Sequence, residues 1–231
     1  MAEGTDTHGL LADYRNSGLV AIEGDAGHVD AGAMIPDFVA ATRYKSTATG
    51  SRATNLKLLT LYDIEKPPTV AGGALSNVAG LDCREYVHLG TWSHLETKPA
   101  SRALPGQFLF AVTIEIAPEN EDDFNRWYSE EHTVVFHSID NMAMIARIPG
   151  WKRGRRYKLL QTQPQGATPV ATYLALHELD NGNFEQTAEI EQARGTEWSK
   201  RVFKRVIRRE VRAFELQNVF TKSKVEDARS L

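Results

Sequence analysis

One stretch of this chain is written twice. Ile35-Pro36-Asp37-Phe38-Val39-Ala40-Ala41-Thr42-Arg43-Tyr44-Lys45 returns as Ile148-Pro149-Gly150-Trp151-Lys152-Arg153-Gly154-Arg155-Arg156-Tyr157-Lys158, an offset of 113 (35 to 148). A second pair follows in the same order: Leu59-Thr60-Leu61-Tyr62-Asp63-Ile64-Glu65 and Leu174-Ala175-Leu176-His177-Glu178-Leu179-Asp180, an offset of 115 (59 to 174). Two matches at nearly one offset read as a tandem duplication of a unit of about 110 residues. A chain so built is expected to fold as two copies of one plan.

The second copy spells that plan out. Gln107–Ala117 is apolar with partial alternation and reads as a strand. Pro118 opens a helix, and Glu119, Glu121, Asp122 and Asp123 suit its positive end. The helix carries Phe124, Trp127, Tyr128 and Val135 along one stripe, with Glu131 and His132 at its border. Ile148-Pro149-Gly150 breaks the chain before strands at 151–161 and 171–179, joined by a Gln/Pro/Gly-rich hairpin. A helix follows over 183–207, which Gly195 interrupts, and then a strand over 209–217. The order β-α-β-β-α-β is the ferredoxin-like plan.

The first copy is worn. It keeps strands near 38–46 and 56–64, with a fourth candidate at 85–95. Its first helix is expected around 10–16, and its first strand is expected to be lost or a stub. Trp127-Tyr128-Ser129-Glu130-Glu131-His132 then stands opposite Asp13-Tyr14-Arg15-Asn16-Ser17-Gly18, so His132 has no counterpart. The expected organisation is a degenerate repeat over 1–97, a linker over 98–106, a complete repeat over 107–218 and a tail over 219–231.

Bulk properties exclude more than they assign. With 27 basic and 30 acidic residues the net charge is −3, which gives no footing for nucleic acid or a membrane surface. The basic run Lys200–Arg212 interleaves with Val202, Phe203, Val206 and Ile207 and reads as a solvated helix face. Cys83 is the single cysteine, so no internal disulfide forms and a cytoplasmic setting is expected. No apolar run approaches the ~18 residues of a membrane span. There is no phosphate loop, dinucleotide fingerprint or nucleophile elbow. His132 and His137, five apart, diverge around a helix and make a poor metal pair, so no metal site is expected.

The constellation Phe124, Trp127-Tyr128, Glu131-His132, then Pro149-Gly150-Trp151, then Arg155-Arg156-Tyr157 resembles the dimeric α+β barrel superfamily, in particular its EthD-like branch, over most of 108–216. The 133–142 segment, with His137, Asp140 and Asn141, is longer than that branch leads one to expect, and reads as a lid or a longer helix. The resemblance implies two ferredoxin-like repeats packed sheet to sheet into a barrel, closed within one chain, with helices outside. It also implies a pocket between sheet and first helix, here built mainly by the second repeat.

His132 is the first candidate for a catalytic group, because an imidazole exchanges protons near neutrality. Glu130 and Glu131 are placed to orient it or raise its pKa. The plainer reading is a histidine that closes the helix. Tyr128, one turn earlier, is the candidate hydrogen-bond donor to a substrate oxygen, against a core tyrosine. Strand parity turns Tyr86, His88 and Trp92 to the barrel interior as pocket wall. Trp127 and His137 complete the substrate-binding candidates, although Trp127 also suits a core. Arg156 offers a partner for a substrate anion, but its match with Arg43 in the worn copy favours half of a structural salt bridge.

The resemblance implies a cofactor-independent enzyme on a small aromatic or polyketide-like substrate: a decarboxylase, cyclase/dehydratase or isomerase using His acid–base chemistry. A cofactor-free monooxygenase and a non-catalytic binding or assembly protein are the alternatives, with haem binding the weakest reading. A homodimer and a small hydrophobic or aromatic ligand are the partners implied.

Overall fold

The computed structural model describes residues 17–24, 35, 38–47, 58–64, 82–93, 105–132, 144–163 and 170–221. Eight strands carry the fold: β1 (Gly18–Gly24), β2 (Phe38–Ser46), β3 (Leu58–Ile64), β4 (Asp82–Ser93), β5 (Phe108–Ile116), β6 (Trp151–Gln163), β7 (Tyr173–Leu179) and β8 (Val206–Thr221). Three short helices accompany them: α1 (Glu121–Trp127), α2 (Ala188–Gly195) and α3 (Glu197–Phe203).

Period-two alternation sorts the strand side chains. Leu109 and Ala111 of β5 enter one cluster, while Phe110, Val112 and Ile114 enter the layers on the other face. The same holds for β7, where all seven residues are buried because both faces are covered. The inner cluster draws on every strand: Leu19, Tyr44, Leu61, Tyr86, Leu109, Tyr157, Leu176 and Phe214 stand for β1, β2, β3, β4, β5, β6, β7 and β8. The strands close into one antiparallel barrel in the order β1-β3-β2-β8-β5-β7-β6-β4. An eight-stranded barrel is just wide enough for side chains to fill it, and these do.

This corrects the expected fold class. The chain is not two ferredoxin-like α+β repeats packed sheet to sheet. It is a mostly β molecule whose hydrogen bonding runs unbroken around one barrel. β8 causes one fusion: Val206–Glu215 pairs with β5 while Phe214–Thr221 pairs with β2. β4 causes the other, pairing with β1 on one side and β6 on the other. Among the described residues every α-helix lies in the second half. The first strand of the first half is present: β1 pairs along its length with β3. Gly18, set opposite His132 in the sequence comparison, opens that strand, and the helix expected at 10–16 lies outside the described residues.

Ion pairs pin both barrel ends. At one, Glu178 is fully buried, accepts from Gly106 N at 3.2 Å and pairs with Arg153 and Arg155, each at 2.9 Å. Arg155 also reaches Asp63 of β3 at 2.7 Å, tying the two halves together. Burial pushes the Glu178 carboxyl up, but the two guanidiniums outweigh it and hold it lowered. Gly106 is required by close approach: a Cβ there would stand 2.6 Å from Leu179 N. At the other end Glu23 pairs with Arg84 at 3.6 Å and with Arg212. No helix among the described residues is long and apolar enough to cross a membrane.

Candidate functional site

Two small cavities lie at the barrel ends. One of ≈ 20 Å³ is lined by residues including Glu23, Arg84, Tyr86 and Arg212; the other, of ≈ 30 Å³, by residues including Ser17, Asp63, His88 and Arg155. Each has room for about one or two waters, far short of a substrate pocket of roughly 300 Å³ or more. Neither touches the Trp127–His132 segment. The expected main pocket against that helix is therefore not what these cavities form, and Ser17 and Gly18 of the first half line one of them. Side chains from all eight strands fill the barrel interior, and Trp127 and Tyr128 stand in the layer outside it.

That layer is organised by α1. Pro118 begins a 3-10 turn over 118–120, and α1 follows with Glu121, Asp122 and Asp123 in its first turn. Asp123 docks α1 on α3 through Trp198 (3.1 Å), Arg201 (3.0 Å) and Arg205 (3.0 Å). After Trp127 the helix widens into a π turn, Tyr128–His132. Such turns are rare and occur often at functional sites.

The π turn folds His132 back onto its own helix. Its ring lies 4.4 Å from the Trp127 ring and 4.9 Å from the Tyr128 ring, centre to centre. His132 is 8% exposed, and its buried Nδ1 has no hydrogen-bond partner among the described residues. Burial pushes its pKa well below 6.5, with repulsion from His177, Arg156, Arg209 and Arg194 added. The imidazole is therefore neutral at pH 7. Burial pushes the Tyr128 phenol up to about 12, against the pull of Arg156 and Arg209, so it stays protonated.

The acidic neighbours do something other than raise His132. Glu130 pairs with Arg126 on the surface at 3.1 Å. Glu131 Oε1 accepts from Trp127 Nε1 (3.1 Å), Thr196 Oγ1 (2.7 Å) and Ser199 Oγ (3.3 Å). It latches the π turn to α3, and His132 is left in an apolar, aromatic setting.

The remaining candidates separate. Tyr86 is 1% exposed inside the barrel. His88 sits at the barrel mouth, its ring 5.4 Å from Tyr157 and its Nε2 2.8 Å from Thr91 Oγ1. Trp92 reverses its expected side: its ring packs 6.1 Å from Tyr128 in the outer layer. A register shift between His88 and Gly90 resets strand parity there. Gly90 makes room for this, since a Cβ would fall 2.8 Å from the Trp92 ring. The structure thus brings His132, Tyr128, Trp127 and Trp92 together and keeps Tyr86 and His88 apart from them. His137 lies outside the described residues.

Two groups were undervalued by the sequence reading. His177 is buried, its pKa pushed down by burial to about 4, with Nδ1 3.4 Å from Trp151 Nε1. Its signal was parity in β7, which sends His177 outward and Glu178 inward. Arg156 is 5% exposed and lies against three aromatic faces: Tyr128 (4.2 Å), Phe124 (4.7 Å) and Tyr173 (4.8 Å). The structural salt bridge expected of it is not formed; among the described residues no carboxylate comes within ion-pair distance. No group of three His, Cys, Asp or Glu side chains among the described residues is placed to hold a metal ion.

Comparison with known folds now places this arrangement. An anthrone oxidase-like protein superposes with a TM-score of 0.56, at 11% identity, over 91% of this chain and 95% of its own. A candidate monooxygenase from Fusobacterium nucleatum gives 0.53, at 8% identity, over 90% and 96%. Another, from Lactobacillus acidophilus, gives 0.51, at 9% identity, over 90% and 97%. The chain shares its overall fold with these proteins. At these identities the likeness is one of fold. No protein-family model and no curated protein matches the sequence.

Proposed function

We propose that this chain is a small-molecule enzyme that removes a proton from an acidic phenol or activated methylene of an aromatic, polyketide-like substrate, with His132 as the base. The observation that carries this reading is the buried imidazole, clamped between Trp127 and Tyr128, with Nδ1 unbonded among the described residues. Trp127 and Tyr128 are buried, so the aromatic face left for a substrate to stack on is that of the half-buried Trp92.

Burial makes His132 a weak base on its own. That penalty falls when the proton comes from a bound substrate, because imidazolium and substrate anion then form a pair of opposite charge. Tyr128, still protonated at neutral pH, donates a hydrogen bond to the developing oxygen anion.

Two outcomes suit such an anion. It can lose carbon dioxide or rearrange, or it can reduce dioxygen, converting a CH₂ to a C=O with release of water. The second is favoured here, because fold neighbours carry the names anthrone oxidase-like and monooxygenase.

The test is a screen of 1,8-dihydroxyanthrone and related phenols, read by product mass and oxygen uptake. His132→Ala should keep the circular dichroism of the wild type and lose about 10²–10⁴-fold in turnover. Tyr128→Phe should lose less, about tenfold, the equivalent of one hydrogen bond. Full activity in His132→Ala would remove this histidine from the mechanism.

A further inference from the structure

Among the described residues Arg156 is a buried cation with no carboxylate within ion-pair distance. Its guanidinium donates from Nη2 to Asn125 Oδ1 at 2.6 Å, while its buried Nε has no hydrogen-bond partner among the described residues. The carboxylate that acts on it at longer range is Glu121, which is bonded to Lys158 at 2.5 Å and to the Tyr173 hydroxyl. Asn125 in turn donates from Nδ2 to the Tyr173 hydroxyl at 3.3 Å. Buried charges in proteins are ordinarily paired. Elsewhere in this chain the rule holds, since Arg153 and Arg155 both reach Glu178.

Three aromatic faces surround Arg156 and lower the cost of keeping it charged without neutralising it. One of them is Tyr128, whose ring also contacts His132. The unpaired cation and the neutral imidazole therefore flank the same phenol.

We propose that Arg156 binds the anionic oxygen of an aromatic ligand, a phenolate, enolate or carboxylate, and that this ligand supplies the counter-charge the protein withholds. The inference rests on the reading of the Trp127–His132 layer as the substrate site, and it names the ligand's charge and its point of attachment. Asn125 is the positioning residue: it holds one edge of the guanidinium through Nη2 and leaves the buried Nε without an acceptor among the described residues. A free aromatic acid and an ionised phenol share this chemistry.

The experiment is calorimetric titration at pH 7.5 with two probes of similar size, 2-naphthoate and neutral 2-methylnaphthalene, against wild type, Arg156→Met and Arg156→Lys. Wild type should prefer 2-naphthoate by about 10–100-fold, the range of a charge-assisted hydrogen bond. Arg156→Met should erase that preference, keep its affinity for 2-methylnaphthalene and melt no lower than wild type, because an unpaired buried charge has been removed. Arg156→Lys should recover part of the preference.

Equal binding of both probes by wild type would overturn the inference and leave the aromatic site standing. An Arg156→Met protein that melts much lower while its preference is unchanged would show Arg156 to be a packing residue, and would also overturn it. Binding of neither probe would sink the inference together with the proposed substrate class. If the preference depends on Arg156 but His132→Ala turns over normally, the catalytic reading fails and the anion site survives.

Discussion

At the scale of single residues, the outer layer holds two neutral histidines where a sequence shows only titratable ones. His132 was legible as a candidate because it follows an acidic pair one turn after Tyr128. Its electrostatics were not legible, since they depend on where Glu130 and Glu131 point: one to Arg126, the other to α3. Both His132 and His177 are held below 6.5, first by burial. The unfolded chain binds protons at both as pH falls through about 6.5, while the native chain refuses one at His177 until about 4. Their contribution to stability is thus complete above 6.5 and lost as pH falls below it. For His177 the shift corresponds to ~3 kcal/mol across that window. Urea midpoints should drop between pH 7.5 and pH 5, and His177→Gln should flatten the drop. A midpoint independent of pH over that range would contradict the burial assigned to these rings.

At the scale of elements, the turn that ends α1 decides the geometry. Period and composition showed a helix over this segment with Phe124, Trp127 and Tyr128 on its buried stripe, and those three are buried. A 3.6-residue pattern carries no mark of a π turn, because the turn is set by what the chain docks against. Here Glu131 reaches Trp127, Thr196 and Ser199 at once. The interruption expected at Gly195 is real: α2 ends there, and Thr196 caps α3 by accepting from Ser199 N at 3.0 Å. Glu131→Ala should therefore free the π turn from α3. We expect a loss of about 1–3 kcal/mol in urea unfolding, with a change in tryptophan fluorescence from Trp127. Wild-type stability and spectrum in Glu131→Ala would mean that the latch is dispensable.

At the scale of the whole molecule, strands were legible and closure within one chain was expected from the resemblance, but the strand pairing that seals the barrel was not legible. The reading of 38–46 as a strand coincides with β2, and the other expected strands overlap β3 to β8. Alternation shows which side chains share a face but not which edge a strand will pair. The residues 218–221 make the point. Of these, 219–221 were read as the start of a tail, yet they form the end of β8 that pairs with Ala40–Thr42 of β2 and so help seal the barrel. The β-bulge after His88 is the same lesson on a smaller scale, since one shifted register moved Trp92 from the interior to the His132 layer.

The proposed chemistry lies on the helix-covered face of a barrel filled by its own side chains. The account stands or falls on His132 acting there as a neutral base. The direct measurement is the pH dependence of kcat/KM for oxygen-consuming turnover of 1,8-dihydroxyanthrone, in wild type and in His132→Ala. Because burial holds His132 well below 6.5, wild-type kcat/KM should be flat through neutrality and fall only on an acid limb well under that value. His132→Ala should lack the limb and run about 10²–10⁴-fold slower. An acid limb at or above 6.5, or one that survives in His132→Ala, would place the working base elsewhere and contradict the account.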